Sequence, residues 1–106
     1  MEARIVKILD EGMRFVLNKG KNDGMTVGKE FMIVEPTDEE IIDPETGKSL
    51  GKLEIPKGKI KVIYVKDKHS IAESIEYEET YYLLPVKQRR KVPITSAKVG
   101  DLAVEQ

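Results

Sequence analysis

Residues 59–66, Lys-Ile-Lys-Val-Ile-Tyr-Val-Lys, form the stretch that decides the fold. Apolar side chains recur there at every second position, as in a β-strand that places one face against a core, and these are Ile60, Val62 and Tyr64. Ile63 and Val65 add apolar side chains to the second face near the end of the stretch. A strand covered on both faces at one end is typical of a small, strongly curved barrel.

Further short strands are predicted on both sides of this stretch. Ala3–Leu9 and Met13–Leu17 flank the turn residues Asp10-Glu11-Gly12 and predict a hairpin. Glu30–Glu35 is an apolar strand that Pro36 is expected to stop. Two more strands are predicted, at Leu53–Ile55, before Pro56, and at Leu102–Val104. The sequence therefore predicts an all-β fold, a small antiparallel β-barrel of about six or seven strands that is SH3-like in size.

The segment from Pro36 to Lys52 is predicted to be one long loop. Thr37–Glu40 has the form of a helix capping box, but Pro44 follows too soon for more than about one helical turn. Asp43–Gly47 predicts a tight turn, because the proline pre-sets φ and the Asp43 side chain can bond the backbone two residues on.

Residues 70–84 fit two interpretations. Their apolar positions partly match a helical stripe, and Ser70–Glu73 is a second capping-box pattern. Alternation fits as well, and Asp67–Ser70 has the composition of a hairpin loop. We favour a strand over Ile71–Tyr77, with a helix within 70–84 as the main alternative.

Composition limits the domain count and the class of partner. The chain has 106 residues, which predicts a single domain over 1–106. Its 18 basic and 19 acidic residues nearly cancel, which does not favour a dedicated nucleic-acid binder. The absence of cysteine excludes disulfides, thiolate nucleophiles and cysteine-based zinc sites.

The first residues, Met1–Ile5, lack the cationic and apolar regions of a signal peptide. No apolar run approaches the roughly 18 residues that a membrane span needs. We expect a soluble chain without membrane insertion, cytoplasmic unless it is a domain excised from an envelope protein.

Four motifs occur in one order along the chain. They are Gly20-x-x-x-Gly24-Met25-x-x-Gly28 before Phe31–Val34, Asp43-Pro44-Glu45-Thr46-Gly47 before Leu50-Gly51, Gly58–Val62 followed by Ser70 and Ala72, and Val99-Gly100-Asp101. In this order the chain resembles, over residues 3–104, the small β-barrel domain at the C-terminus of the flagellar assembly protein T. Similar domains occur in other bacterial envelope and assembly proteins. The resemblance implies a barrel fold and an assembly or binding role. It covers one domain of that family, so a flagellar role is not expected to carry over.

These motifs consist of turn and strand-entry residues. Gly20, Gly24 and Gly28 are expected to adopt positive φ in the loop that enters a strand. The complete set of predicted structural turn residues is Gly20, Gly24, Gly28, Asp43, Pro44, Gly47, Gly51, Gly58 and Gly100.

The basic run over residues 87–91 is the candidate nucleic-acid site. Four cations occur in five residues, namely Lys87, Arg89, Arg90 and Lys91. They could contact phosphates or an acidic protein. A solvated loop before Pro93 is the favoured interpretation, since no aromatic residue is interleaved with the charges.

No catalytic, metal or cofactor site is predicted. His69 is the only histidine, and no nucleophile motif surrounds Ser70, Ser74 or Thr80. The acidic residues over 38–45 do not match an EF-hand and are interpreted as a solvated loop. The glycine segment 20–28 lacks the Gly-Lys-Ser/Thr ending of a phosphate loop.

The favoured function is a non-catalytic protein-interaction or assembly module, with self-association as one form and with no small-molecule substrate. The candidate interface residues are Thr37, Leu50, Tyr81, Tyr82 and Leu83. The alternative function is a barrel that binds RNA or single-stranded DNA through residues 87–91.

Overall fold

The computed structural model describes residues 1–81 and 87–106 of the chain. Eight strands occupy most of this length: β1 Glu2–Leu9, β2 Arg14–Leu17, β3 Glu30–Ile42, β4 Ser49–Val65, β5 Ser70–Ser74, β6 Tyr77–Tyr81, β7 Lys87–Lys91 and β8 Leu102–Glu105. Within the described ranges, helical structure is confined to two 3₁₀ turns, at Asp10–Gly12 and Lys21–Asp23. The prediction of an all-β fold is confirmed.

Six of the strands form a closed antiparallel ring. Their order is β1-β2-β5-β4-β3-β8, and β8 closes the ring by pairing with β1 on one side and β3 on the other. Ala103 lies opposite Ala3 in one pair and opposite Ile33 in the other. Register shifts in the β1–β2, β3–β4 and β4–β5 pairs make the ring irregular. Closure means that each of the six strands has a neighbour on both sides over at least part of its length.

The core lies inside the ring and is built by alternating residues of its strands. Its largest fully buried hydrophobic side chains are Phe15, Phe31, Ile5, Leu17, Ile33, Ile60 and Val62. The predicted alternation in β4 holds for Ile60 and Val62 but fails at Tyr64, which is 45% exposed. The cause is a register shift, since Val62 pairs with Ala72 while Tyr64 pairs with Ile71. Val65 packs against the core in place of Tyr64.

The predicted long loop over Pro36–Lys52 is wrong. β3 continues through Pro36 to Ile42, and β4 begins at Ser49, so that only residues 43–48 form the connection. β3 pairs with β8 only as far as Val34. Beyond that residue no described strand accepts hydrogen bonds from the backbone N–H groups on the outer edge of β3. A proline is tolerated on such an edge. The predicted end of a short strand at Pro56 is wrong for the same reason, because β5 covers β4 only from Ile60 onward.

The β3–β4 hairpin therefore extends beyond the ring, and we call its residues 36–55 the arm. Pro36 pairs with Glu54 and Glu40 pairs with Lys52, so that three residues of β3, 37–39, lie opposite Leu53 alone. Thr37 stabilises this bulge, because its hydroxyl donates to the Leu53 carbonyl oxygen at 2.7 Å. The capping-box pattern at Thr37–Glu40 starts no helix, since the segment is strand.

A helix within 70–84 is also wrong for the described part of that segment. β5 ends at Ser74, Ile75 and Glu76 form a break, and the chain continues as β6. β6 pairs with β7 in a separate two-stranded sheet, here called the β6–β7 ribbon. Residues 82–84 of the predicted helix lie outside the described residues.

The two hairpins give the molecule an extended shape. Its principal extents are 54 × 41 × 20 Å and its radius of gyration is 16.6 Å. A compact domain of this length has a radius of gyration of about 13 Å. The excess follows from the arm and the ribbon, which project from the ring.

Five of the predicted turn glycines have positive φ: Gly24, Gly28, Gly47, Gly51 and Gly100. Gly20 does not, since its φ of −135° is ordinary extended backbone. A Cβ at Gly20 would lie 2.4 Å from the Lys66 carbonyl oxygen, and the position requires glycine for close approach. Gly58 lies inside β4 and not in a turn, where a Cβ would lie 2.8 Å from Ile94 Cδ1.

A buried ion pair fastens β4 to the start of β8. Lys57 is the extra residue between Gly58, opposite Ile33, and Pro56, opposite Val34, and this bulge turns its side chain inward. Lys57 Nζ lies 2.8 Å from Asp101 Oδ2, and the two side chains are only 5% and 6% exposed. The same carboxylate oxygen accepts a hydrogen bond from the Lys98 backbone N–H at 2.8 Å.

We expect Lys57→Met to lower the free energy of unfolding by about 3–5 kcal/mol, because it leaves a buried carboxylate without its cation. Lys98→Met is the matched control. Lys98 also binds Glu35, at 2.7 Å, but its side chain is 65% exposed, so its loss should have a much smaller effect. Urea denaturation followed by circular dichroism measures both. Equal effects of the two changes would show that the buried pair does not fasten the ring.

Candidate interaction surface

The arm presents backbone edges that no described strand covers. β8 covers β3 only up to Val34, and β5 covers β4 only from Ile60 onward. The two arm strands are therefore paired with each other and with no other strand in the described ranges. Unpaired edges of this kind are templates for pairing with another chain.

The tip of the arm is ordered by the predicted tight turn. Asp43 Oδ1 accepts a hydrogen bond from the Glu45 N–H at 2.8 Å, and the Gly47 N–H donates to the Asp43 carbonyl oxygen at 2.8 Å. The Asp43 N–H donates to the Lys48 carbonyl oxygen at 2.9 Å, which closes the hairpin. Gly47 has a φ of 71°, and the turn predicted at Asp43–Gly47 is confirmed.

Apolar side chains are exposed along the arm. Leu50 is 65% exposed, Ile42 50%, Ile55 43% and Ile41 39%. Leu50 is an extra residue in the register, because Ile41 pairs with Gly51 and Ile42 with Ser49. Successive residues of a strand point to opposite faces, so the adjacent Ile41 and Ile42 make both faces of the arm apolar. Single exposed apolar residues are ordinary, but a group of four on one hairpin indicates a contact surface.

The two candidate interface residues on the arm differ in role. Leu50 is free to contact a partner at the tip. Thr37 is half-buried and engaged by its own chain, since its hydroxyl binds the Leu53 carbonyl oxygen and accepts from the Glu39 N–H at 3.2 Å. The exposed isoleucines were not among the predicted sites. Ile41 and Ile42 lay in a predicted loop, where side chains are not assigned to a face, and Ile55 lay in a short predicted strand.

Acidic side chains dominate the arm. Six carboxylates and two lysines occur in residues 36–55, namely Asp38, Glu39, Glu40, Asp43, Glu45 and Glu54 against Lys48 and Lys52. One ion pair in the arm joins Lys52 Nζ to Asp38 Oδ1 at 3.7 Å, with both side chains largely exposed. Exposed pairs with this geometry contribute little to stability.

The basic run is a strand and not the predicted solvated loop. Lys87–Lys91 is β7, and Val92 donates its N–H to the Glu76 carbonyl oxygen at 2.9 Å where the ribbon leaves the ring. The Arg89 guanidinium lies 4.6 Å from the centroid of the Tyr77 ring. Arg90 pairs with Glu78, and Lys91 pairs with Glu73 of β5.

The remaining predicted sites are only partly described. Tyr81 and Lys87 are described as paired backbone positions at the ends of β6 and β7. Tyr82 and Leu83 lie outside the described residues. The nucleic-acid alternative stays a prediction, and its cations Arg89, Arg90 and Lys91 already contact an aromatic ring or a carboxylate.

Of the residues considered for catalysis, His69, Ser70 and Ser74 do not converge, and the side chain of Thr80 lies outside the described part of the chain. His69 is exposed in the β4–β5 turn, whereas Ser70 is fully buried. Ser74 Oγ donates to the Val92 carbonyl oxygen at 2.7 Å and so serves the junction with the ribbon. In residues 1–81 and 87–106, no three side chains of His, Asp or Glu are grouped as ligands for a metal ion.

Comparison with known proteins identifies no family for this chain. Neither the protein-family models nor the curated proteins gave a match to this sequence. In the described part of the chain, no helix has the length and apolar character needed to cross a membrane.

Lysines lower the pKa of two carboxylates at the surface. The Lys98 ammonium, hydrogen-bonded to Glu35 and assisted by Lys57, holds the pKa of Glu35 below its ordinary value of 4.5. The hydrogen bond from Lys91 lowers the pKa of Glu73 in the same way. Glu73 belongs to the ring and Lys91 to the ribbon, so this pair helps to hold the ribbon against the ring.

Glu105 is the third shifted carboxylate. Lys29 Nζ at 2.9 Å and the amino group of Met1 at 3.2 Å lower the pKa of Glu105. The partner lysines shift in the opposite direction, and the pKa is raised from 10.5 for Lys91 and Lys98.

These shifts predict the pH dependence of stability. A carboxyl with a lowered folded-state pKa stabilises the fold above 4.5, and that contribution is lost as the pH falls through the lowered value. A lysine with a raised pKa stabilises the fold below 10.5, and its contribution is lost as the pH rises through the raised value. The urea midpoint should therefore be flat between these limits and fall on either side.

The double variant Glu73→Gln, Glu105→Gln should flatten the acid limb of that profile, while Glu54→Gln on the arm is the control and should not. The midpoint is measured from about pH 7 down to about pH 3, the range in which paired carboxylates become protonated. An unchanged acid limb in the double variant would contradict the assignment.

Proposed function

We propose that this domain is a non-catalytic protein-interaction module that contributes to assembly through the arm. The observation that carries the proposal is the combination, on one hairpin, of unpaired backbone edges and four exposed aliphatic side chains. Edge pairing supplies backbone hydrogen bonds, and apolar side chains at known positions supply selectivity. The resemblance to the barrel domain of flagellar assembly protein T supports an assembly role.

The energetics of a lone hairpin agree with this role. A two-stranded ribbon in water is marginally stable, because it buries little apolar surface. Covering Leu50, Ile42, Ile41 and Ile55 with a partner would remove that surface from water, at up to about 1.5–3 kcal/mol for each side chain that becomes fully buried. Ordering of the ribbon and loss of rotational freedom offset part of this gain. The net binding free energy that remains decides between a transient and a stable complex, since each step of about 1.4 kcal/mol changes the dissociation constant tenfold.

The arm is a better candidate than the basic strand for the principal contact. The described cations of β7, Arg89, Arg90 and Lys91, contact an aromatic ring or a carboxylate of their own chain, whereas the four aliphatic side chains of the arm are exposed to solvent. Direct measurement distinguishes the two functions, since phosphate contacts give an affinity that falls steeply with salt. We propose no reaction, because His69 and the serines do not converge on a common site.

Photo-crosslinking tests the arm as an interface. A benzophenone amino acid at position 50 should give adducts in the cells that make the protein, because this side chain lies in the contact. The matched control is position 27, since Val27 is also 65% exposed but lies before β3, next to the ring. Adducts at position 50 that Ile42→Asp reduces would support the proposal. Equal labelling at both positions, or none at position 50, would overturn it.

A further inference from the structure

We infer that the partner of the arm is a second copy of this chain, whose basic strand β7 lies against the acidic arm. This inference rests on the proposed function, and it adds the identity of the partner and the chemistry of the contact. It follows from the way in which charge is distributed between the two projecting hairpins.

The charges of the chain balance overall but are concentrated with opposite sign in the arm and in the strand β7. β6, the partner strand of β7, carries Glu78 and Glu79. The whole sequence has 18 basic and 19 acidic residues. The arm carries six carboxylates and two lysines, whereas β7 carries four cations in five residues. Two surfaces of opposite sign on one molecule are complementary between copies, and such complementarity selects and orients a partner.

The dimensions of the two elements match. β7 has five residues and spans roughly 16 Å at the rise of an antiparallel strand. The β3 side of the arm, residues 36–42, spans roughly 23 Å by the same measure. β7 can therefore lie along the acidic strand of the arm without reaching the ring of the other copy.

The contact is not made within one copy. Arg90 and Lys91 form ion pairs with Glu78 and Glu73, and Arg89 lies on Tyr77, so none of these three cations reaches the arm of its own chain. The side chains of Arg90 and Glu78 are 70% and 44% exposed. Because exposed pairs contribute little to stability, Arg90 remains available to another copy.

The Tyr77 and Arg89 pair adds an anchor to the electrostatic contact. Tyr77 is 43% exposed, and its ring holds the Arg89 guanidinium in place. Tyr and Arg are enriched among the residues that dominate binding energy at interfaces. Each copy carries both an arm and a β7 strand, so the contact can form twice about a two-fold axis and close a dimer.

Charge reversal tests the inference. The arm variant Asp38→Lys, Glu39→Lys, Glu40→Lys makes the arm basic, and the strand variant Lys87→Glu, Arg89→Glu, Arg90→Glu makes β7 acidic. Each variant alone should be monomeric, with self-association weakened more than about tenfold, because like charges then face each other. Light scattering coupled to size exclusion, over a range of protein concentrations, measures the mass.

Two rescue measurements show that the variants are folded. An equimolar mixture of the arm variant and the strand variant should associate, because every arm then meets a β7 strand of opposite charge. A chain that carries all six changes should self-associate as the original does. The neutral set Asp38→Asn, Glu39→Gln, Glu40→Gln should give intermediate association.

Salt provides an independent readout. Association of the unaltered chain should weaken about tenfold between about 50 and 500 mM salt, since screening shortens the range of exposed charges. Association that ignores salt, or that survives charge reversal, would overturn the inference. So would a monomer at every concentration.

The two proposals fail separately. If the chain is monomeric but position 50 is crosslinked to a different protein, the partner is not a second copy and the arm is still an interface. If position 50 gives no adduct, the proposed function fails as well.

Discussion

The closure of the ring by β8 is the constraint on which the rest of the structure depends. A four-residue strand pairs on both sides, and the buried contact between Lys57 and Asp101 holds the chain where that strand begins. Because of this closure, each strand of the ring pairs with a neighbour on both sides over part of its length. In the described residues, the strands of the arm and of the β6–β7 ribbon pair only within their own hairpins. The separation of a closed core from open hairpins underlies the functional interpretation.

Local turn chemistry made much of the fold predictable. Asp10-Glu11-Gly12 and Asp43–Gly47 lie in the connections of their hairpins, because side-chain bonds and positive φ act over a few residues. Of the predicted loop Asp67–Ser70, the first three residues lie in the connection and Ser70 begins β5. Pro36 gave the wrong boundary, because whether a proline ends a strand depends on which neighbour needs its N–H. That neighbour is set by long-range pairing, which a local pattern does not contain. The bulge that exposes Tyr64 has the same origin.

The candidate surface was predictable only in part. Leu50 was named as a candidate near the end of the predicted loop, and it is exposed at the tip. Ile41 and Ile42 were missed because they lay in the predicted loop, where side chains are not assigned to a face, and Ile55 was placed in a short predicted strand that ended at Pro56. The alternation over residues 53–55 and the apolar pair at 41 and 42 were the available signals. Charge segregation was visible in the sequence, but its meaning required knowing that residues 36–55 and 87–91 belong to separate ribbons.

The bulge at residues 37–39 has a consequence for how this domain changes over evolutionary time. Three residues of one strand already lie opposite a single residue of the other, and the hydroxyl of Thr37 holds the mismatch in place. Residues inserted or deleted beyond that point alter the reach of the hairpin without shifting the register of Phe31 against Ile60 in the core. Length variation of this kind costs little when it is confined to a projecting loop. Related chains can therefore change their binding partners while the packing of the core stays the same.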